Sequence, residues 1–200
     1  MGIYSKFILP KVVNCVCGLK PTRKQREKVI PLATGRVLEI GIGSGLNLPF
    51  YNVDQVDCII GIDPAPEMWK LNNWSGDIEV EYKTSSAEEI DMEDDTFDSV
   101  VCTYTLCTIP DAAKALQEIK RVLKPEGKFI FTEHGLAPDE KVIRIQNKIN
   151  PYWKRLGGGC NLNRNMEDLI AENGFQFRSL DKMYIPGWKP ASFNYWGVAE

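Results

Sequence analysis

The residues with the clearest chemical meaning are a glutamate and three glycines in one short segment. An apolar run that favours a β-strand leads into Glu39, which is followed by Gly41, Gly43 and Gly45. Glycine lets the backbone turn tightly and approach a ligand closely. A strand that ends in such a loop before a helix is how an open α/β sheet holds an adenosine-containing cofactor. The segment therefore predicts a nucleoside-binding loop beside a carboxylate.

The spacing of the glycines separates two classes of cofactor. A dinucleotide-binding loop reads G-x-G-x-x-G/A and places a pyrophosphate at a helix N-terminus. Here Leu46 stands where the last small residue belongs, and the third glycine comes one position early. The charge of Glu39 would repel a pyrophosphate but suits a cationic ligand. The pattern therefore favours S-adenosylmethionine, which carries an ammonium and a sulfonium and no phosphate, over a nicotinamide dinucleotide.

A second carboxylate ends the next apolar run, at residues 58–63. Asp63 lies 18 residues after Gly45, close to the spacing at which an acidic side chain meets a ribose. A carboxylate can accept both hydroxyl protons of the sugar. The alternative is a helix cap, since Pro64 follows and Pro66-Glu67 could open a helix. The two roles are compatible, and we predict a ribose contact for Asp63.

Strand-like and helix-like segments alternate along most of the chain. Strands are predicted near 36–41, 58–63, 79–84, 97–103, 127–133, 175–184 and 192–199, and helices near 22–33, 46–51, 66–73, 111–123, 139–155 and 165–173. This alternation predicts a Rossmann-like three-layer α/β/α sandwich with a mostly parallel sheet. The last two strands follow each other directly, so we expect one antiparallel strand near the C-terminal edge.

Composition narrows the class of protein. The 200 residues fit one domain, and 44% hydrophobic and 26% charged residues are ordinary for a globular protein. The net charge of −3 and the lack of a basic run argue against a nucleic-acid partner. No apolar stretch approaches the roughly 20 residues that span a bilayer. The N-terminus has no secretory pattern, so we expect a cytoplasmic protein.

The cysteines offer little sign of a metal site. There are six, with only one histidine, and the pair Cys15-x-Cys17 is too sparse for zinc. Without a secretory signal, we expect reduced thiols that pack as small hydrophobic side chains. The sequence therefore predicts no bound metal.

The N-terminal residues 1–21 are predicted to form an element in front of the main domain, 22–200. Val12, Cys15, Val16 and Leu19 keep helical spacing. Three roles stay open: a lid over a pocket, a helix that covers the core, or a membrane-surface contact. The last is the least favoured, because the apolar run 8–19 has one lysine and no basic face.

Several motifs together resemble the class I S-adenosylmethionine-dependent methyltransferases, over about residues 20–200. The resemblance rests on segments 39–45, 61–63, 87–88, 97–101 and 118–127. The last two are similar to the quinone-biosynthesis branch, whereas segments 47–51, 105–111, 133–135 and 159–164 are closer to the thiol-methyltransferase-like group. The resemblance implies a seven-stranded sheet with a reversed final strand, S-adenosylmethionine as methyl donor, and a small, apolar acceptor.

The resemblance also implies roles for single residues. Glu39 and loop 41–45 would hold the methionine end of the cofactor, and Ser86, at a position where relatives often have Asp, would lie along the adenine. Thr103 and Tyr104 would line the methyl-transfer pocket. The predicted cofactor-binding set is Glu39, Gly41, Gly43, Ser44, Gly45, Asn47, Asp63, Pro64, Met68, Ser86, Ala87, Glu88 and Thr103.

Methyl transfer from a sulfonium needs mainly alignment of the reactants and exclusion of water. A general base is required only where the acceptor holds its proton tightly, so a soft acceptor such as a thiol can do without one. The predicted catalytic residues are Tyr104 and His134, the only histidine, which falls just after the fifth strand. Glu133 is a weaker candidate for a base. A structural His134 and a packing role for Tyr104 are the alternatives.

The acceptor site and the function class leave alternatives open. Tyr152 and Trp153 could wall an apolar acceptor site or simply pack a helix against the sheet. A non-catalytic module that binds S-adenosylmethionine would share the same binding loops. An oxidoreductase that uses a nicotinamide dinucleotide is less favoured, because Leu46 and Glu39 count against it.

Overall fold

The computed structural model describes residues 4–200, so the first three residues of the predicted segment 1–21 lie outside the described part. The strands are β1 (Gly35–Ile40), β2 (Val56–Ile62), β3 (Val80–Lys83), β4 (Phe97–Thr103), β5 (Leu123–His134), β6 (Phe177–Tyr184) and β7 (Phe193–Ala199). The α-helices are α1 (Leu9–Cys17), α2 (Lys20–Val29), α3 (Pro66–Trp69), α4 (Ala112–Val122), α5 (Glu140–Leu156) and α6 (Met166–Glu172). A π-helical segment (Tyr4–Ile8) precedes α1, and short 3-10 helices lie at Ile30–Leu32, Leu48–Phe50 and Lys189–Ala191.

All seven strands form one sheet, in the order β3-β2-β1-β4-β5-β7-β6. Strands β1 to β5 pair in parallel, and β7 runs antiparallel to both β5 and β6. The predicted mostly parallel sheet, with one reversed strand near its C-terminal edge, is confirmed. The strand order reverses between β1 and β4, which is where open α/β sheets bind ligands, outside the carboxyl ends of the strands.

Hydrophobic side chains fill both faces of the sheet. On one face, α4 and α6 pack against residues such as Val100 and Phe129. On the other face, Val29 and Ile30 at the end of α2 pack against Val37 and Ile130. The central strands are therefore buried on both sides, as a parallel sheet with two helical layers requires.

Two helices predicted from the sequence are much shorter in the structure. The segment predicted at 46–51 forms only the 3-10 turn Leu48–Phe50, because Pro49 has no N–H to donate to an α-helical hydrogen bond. The helix predicted at 66–73 ends at Trp69. Beyond it, the Asn72 side chain accepts the Trp74 N–H at 2.8 Å, a local bond that competes with helix formation.

Helix α1 packs through a face other than the one that carries the apolar set identified in the sequence. The predicted apolar set of Val12, Cys15, Val16 and Leu19 is exposed, whereas Pro10 is buried and Val13 and Cys17 are half-buried. The side of the helix that carries Pro10, Val13 and Cys17 therefore packs against the domain. The opposite side is an apolar strip that faces solvent. Across residues 4–200, the helices are too short or too polar to traverse a lipid bilayer.

Candidate active site

The glycine loop turns at the carboxyl end of β1. Gly41, Gly43 and Gly45 have φ angles of +68°, +54° and +78°, a left-handed region that favours glycine. A Cβ added to Gly41 would lie 2.3 Å from Thr105 Oγ1, so this position also needs glycine for space. The Gly41 N–H donates to the Ile62 carbonyl at 2.8 Å, which fixes the loop against the end of β2. The predicted backbone turn is confirmed.

Glu39 is a buried carboxyl group under this loop. Its side chain accepts hydrogen bonds from Asn47 Nδ2 at 2.9 Å and from the Tyr51 hydroxyl at 2.7 Å. Burial raises the pKa of Glu39 to about 7, against the opposing effects of these two hydrogen bonds and of the nearby Arg26. A cation beside a buried carboxyl group stabilises its ionised form. The ammonium of S-adenosylmethionine would supply such a cation.

Asn47 connects the acid to the neighbouring strand end. Its Oδ1 accepts from Arg26 Nε at 2.9 Å, and its Nδ2 donates to Thr103 Oγ1 at 3.1 Å. Thr103 ends β4, so this side chain joins β1, β4 and α2 in one buried network. Arg26 and Tyr51 belong to the network but were not among the predicted site residues, since neither lies in a motif that marks a binding loop.

Asp63 lies at the carboxyl end of β2 and faces the glycine loop. Its two carboxylate oxygens accept the N–H groups of Gly43 at 3.1 Å and Ala65 at 2.8 Å. Ala65 is itself the residue that precedes α3, whose first helical residue is Pro66, so Asp63 is not the N-cap. Burial raises the pKa of Asp63. Each oxygen keeps a second lone pair, so the side chain fits a ribose whose hydroxyls donate to it.

The remaining predicted cofactor residues lie around these two acids. Pro64 follows Asp63, and the Met68 methyl lies 3.3 Å from where a Gly43 Cβ would stand. The Ser44 hydroxyl donates to Asn14 Oδ1 on α1 at 2.5 Å. These contacts bring the glycine loop, the β2 end and α1 together at one edge of the sheet.

The predicted adenine segment forms a tight turn after β3. Ser86 Oγ accepts the Glu88 N–H at 3.2 Å, and Ala87 is buried in the core. The Glu88 carboxylate accepts the Asp111 N–H at 2.7 Å, which ties the turn to the start of α4. Glu88 is thus engaged in fixing the turn. The structure places Ser86 three positions after the end of β3, which pairs with β2, the strand that Asp63 follows.

Tyr104 follows β4 and occupies a strained backbone position. Its φ is +52°, in the left-handed region that non-glycine residues seldom adopt. Its hydroxyl donates to Asn194 Oδ1 at 2.7 Å, and the Arg26 guanidinium lies 5.1 Å from the ring centroid. Burial raises the pKa of Tyr104 far above the physiological range. The hydroxyl therefore stays protonated and can orient a ligand but not act as a base.

His134, at the end of β5, is grouped with two cysteines. Its Nε2 lies 3.1 Å from Cys160 Sγ, and the ligating atoms of Cys107, His134 and Cys160 are all within 4.8 Å of one another. Burial alone would lower the pKa of His134, but the effect of Cys160 outweighs it and raises this pKa. Among the described residues, its Nδ1 is buried without a hydrogen-bond partner. This grouping was not predicted from the sequence.

Glu133 is a buried side chain bound to the loop after β4. The side chain is fully buried and accepts the backbone N–H groups of Thr105, Leu106 and Cys107 at 2.6, 2.9 and 3.4 Å. Its carboxylate therefore holds the loop after β4 in place. The role of Glu133 as the weaker candidate for a base stays a prediction, since strand-end position alone does not reveal which backbone donors surround a carboxylate.

Helix α1 and the loop after α5 contact each other near Cys160. Trp153 Nε1 donates to Cys160 Sγ at 3.2 Å, and its ring lies 5.4 Å from that of Trp188. A Cβ on Gly158 would be 2.8 Å from the Leu9 side chain, so the loop and α1 are in close contact. Tyr152 is 70% exposed and does not contribute to this wall. A separate surface cavity of about 260 Å³, near Ala137 and Lys182, contains none of the predicted site residues.

Comparisons with known proteins agree on one type of domain. A family described as a methyltransferase domain matches residues 38–131. The chain is 34% identical to the thiol S-methyltransferase TMT1B of Homo sapiens over 178 residues, which cover 84% of this chain and 72% of that protein. It is 32% identical to TMT1B of Rattus norvegicus over 167 residues, which cover 80% and 65% of the two chains. The chain thus spans about two thirds of the length of these relatives.

A solved structure supports the same conclusion. The YcgJ protein of Bacillus subtilis superposes with a TM-score of 0.61 and 26% sequence identity. The match covers 76% of this chain and 67% of YcgJ.

Proposed function

The chain belongs to the class I S-adenosylmethionine-dependent methyltransferases, and on this premise we propose that it methylates the sulfur of a small, apolar thiol. When bound, S-adenosylmethionine supplies a methyl group on a cationic sulfur, which an aligned acceptor displaces. The relatives named as thiol S-methyltransferases support the choice of sulfur as the acceptor atom.

The cofactor half of the proposal rests on two acids. Glu39 would face the cationic methionine end, where a cation would favour the ionised form of the carboxyl group against the burial that raises its pKa. Asp63 would accept from the ribose hydroxyls with the lone pairs that Gly43 and Ala65 leave unused. The turn at 86–88 would lie along the adenine, with Ser86 as its polar contact.

The observation that carries the choice of a thiol is the state of Glu133. This side chain lies next to His134 and is fully buried, and it accepts three backbone N–H groups of the loop after β4, so we assign it to holding that loop and not to receiving the acceptor's proton. Tyr104 stays protonated, so it too cannot accept a proton from the acceptor. An acceptor that ionises readily suits such a site better than an alcohol or a carbon acid. Tyr104 and His134 are the residues that we propose to contact the acceptor.

The setting that we propose is cytoplasmic, with a small molecule as the partner and no nucleic acid. The six cysteines are all free thiols, which suits a reducing compartment. The exposed apolar strip of α1 carries Val12 and Val16, and Leu19 is exposed just beyond the helix, so a membrane-surface contact is the secondary role that we propose for this segment.

Matched acceptors test the proposal. We expect the purified protein with S-adenosylmethionine to convert thiophenol to its methyl thioether, with S-adenosylhomocysteine formed in equal amount, and to leave phenol unchanged. Methylation of phenol but not thiophenol would overturn the choice of acceptor. Tight binding of S-adenosylhomocysteine by calorimetry without turnover on a panel of thiols, amines and phenols would favour the non-catalytic alternative. Binding of a nicotinamide dinucleotide instead would favour the oxidoreductase.

A further inference from the structure

Three potential metal ligands from distant parts of the sequence meet on the acceptor side. Cys107 follows β4, His134 ends β5 and Cys160 lies in the loop after α5. We propose that these three side chains bind a zinc ion whose remaining position takes the acceptor sulfur. The proposed zinc binding does not depend on the proposed function, whereas the role of the ion toward the acceptor does.

The spacing of the ligating atoms fits tetrahedral zinc. With Zn–S bonds of about 2.3 Å and Zn–N bonds of about 2.0 Å, ligand atoms stand about 3.5–3.8 Å apart. Here His134 Nε2 and Cys160 Sγ are 3.1 Å apart, and the widest separation in the group is within 4.8 Å. The 3.1 Å separation is shorter than the ideal ligand–ligand distance, and the 4.8 Å limit is longer. Small side-chain rotations would therefore place all three atoms at bonding distance from one ion. Two cysteines and one histidine are also a donor set that zinc uses in sites with an open fourth position.

The backbone around the two cysteines is held in place before any ion binds. Asn161, next to Cys160, donates its backbone N–H and its side-chain Nδ2 to the Cys107 carbonyl at 2.8 and 2.9 Å. Glu133 accepts the Cys107 N–H, and Arg164 donates to the carbonyls of Leu106 and Ile109. Metal affinity depends on such outer contacts, which fix the ligands in position.

The fourth coordination position of the proposed zinc ion would bind the acceptor and activate it without a protein base. A thiol that coordinates zinc loses its S–H proton to water, because the cation stabilises the thiolate. Cys107 and Cys160 likewise release their protons when the ion binds. The bound thiolate then forms the new S–C bond while the C–S bond of the sulfonium breaks, and its electron pair goes to the departing sulfur. The product is a neutral thioether, a weaker ligand that can leave.

Metal binding is tested without donor or acceptor. The full chain, purified under reducing conditions and dialysed against Zn²⁺, should hold about one equivalent by elemental analysis. With Co²⁺ in its place, thiolate-to-cobalt charge-transfer absorption should appear. Cys107→Ser and Cys160→Ser should each bind zinc more than about tenfold more weakly. Cys58→Ser, on β2 away from this group, is the matched control and should keep full binding.

Folding is checked by S-adenosylhomocysteine affinity, which the serine variants should retain. If Cys107→Ser does not fold, Cys160→Ser decides, because its loop is partly exposed. Substoichiometric zinc in the wild-type protein, or unchanged zinc affinity in Cys160→Ser, would overturn the metal site. Zinc binding with no methylation of any thiol would instead count against the proposed function and leave the site standing.

Discussion

The carboxylate of Glu133 accepts the backbone N–H of Thr105 at 2.6 Å, which joins the end of β5 to the loop after β4. The N–H groups of Leu106 and Cys107 point to the same side chain. One buried acid therefore organises the loop that carries the acceptor-side residues. Loss of this acceptor would cost folding free energy, because the backbone N–H groups would be left without a hydrogen-bond partner.

Removal of this acid should destabilise the fold strongly. Glu133→Ala leaves three buried N–H groups without an acceptor, and each such group costs about 1–3 kcal/mol, so we expect the free energy of unfolding to fall by at least about 3 kcal/mol. Glu133→Gln keeps one acceptor oxygen and should lose less. Chemical denaturation of the two variants measures both values, and equal losses would contradict this role.

Asp63 should contribute to cofactor affinity. Asp63→Ala removes the predicted ribose acceptor and should weaken binding of S-adenosylhomocysteine by about 1–3 kcal/mol in calorimetry. Asp98→Ala is the matched control, because Asp98 also accepts a backbone N–H, that of Arg36 at 2.9 Å, but at the start of β4. An affinity that is unchanged in the Asp63 variant would reject the ribose assignment.

Glu39 should make both stability and cofactor affinity depend on pH. Burial raises its pKa from 4.5 to about 7, so the folded protein holds this proton more tightly than the unfolded chain does. Stability of the ligand-free protein should therefore fall as pH rises from about 4.5 to about 7, by up to about 3 kcal/mol from this group. Affinity for S-adenosylmethionine should rise over the same interval, because the cation favours the carboxylate.

The control for this titration is Glu39→Gln, which removes the ionisable group but keeps its shape. Arg26 and Asp63 are the charged groups that act on Glu39, and both remain in the variant. Denaturation and calorimetry at pH 5 and pH 8 should show a smaller pH difference than in the wild-type protein. The same difference in both proteins would mean that another group titrates.

The glycines of the loop should differ in their tolerance of alanine. Gly41→Ala combines a left-handed backbone, worth about 1–2 kcal/mol, with a clash against Thr105. Gly43→Ala has a similar backbone cost, but the new methyl would meet only the flexible end of Met68 at 3.3 Å. We expect thermal unfolding to show the larger loss for Gly41→Ala. A larger loss for Gly43→Ala would contradict the described loop.

Loss of the His134 side chain should affect turnover more than cofactor binding. His134→Ala removes a group on the acceptor side, and we expect kcat to fall about 10- to 100-fold. Affinity for S-adenosylhomocysteine should stay within about twofold of wild type. Steady-state kinetics and calorimetry on the same preparation separate the two effects. Unaltered kcat would leave His134 with a structural role only.

The fold and the cofactor half were predictable from local signals. The glycine loop, Asp63 and the alternation of strands and helices depend on neighbouring residues, and each appears in the structure where the sequence placed it. The two shortened helices were not predicted, because Pro49 and the Asn72 side chain favour turns over helical periodicity.

The proximity of the residues on the proposed acceptor side could not be predicted from the sequence. Cys107, His134 and Cys160 are separated by 27 and 26 residues, so no spacing rule for metal sites connects them. The parallel pairing of β4 and β5 brings their ends together, and only then does the loop after α5 reach them. The fully engaged state of Glu133 is likewise a property of the folded backbone.

Helix α1 contacts the loops on both sides of the site. Asn14 accepts a hydrogen bond from the Ser44 hydroxyl of the glycine loop, and Leu9 packs against Gly158 near Cys160. Because one helix contacts both loops, we expect binding of the nucleoside and binding of the acceptor to be coupled. We therefore expect a compulsory-order kinetic scheme, in which the nucleoside enters first and departs last.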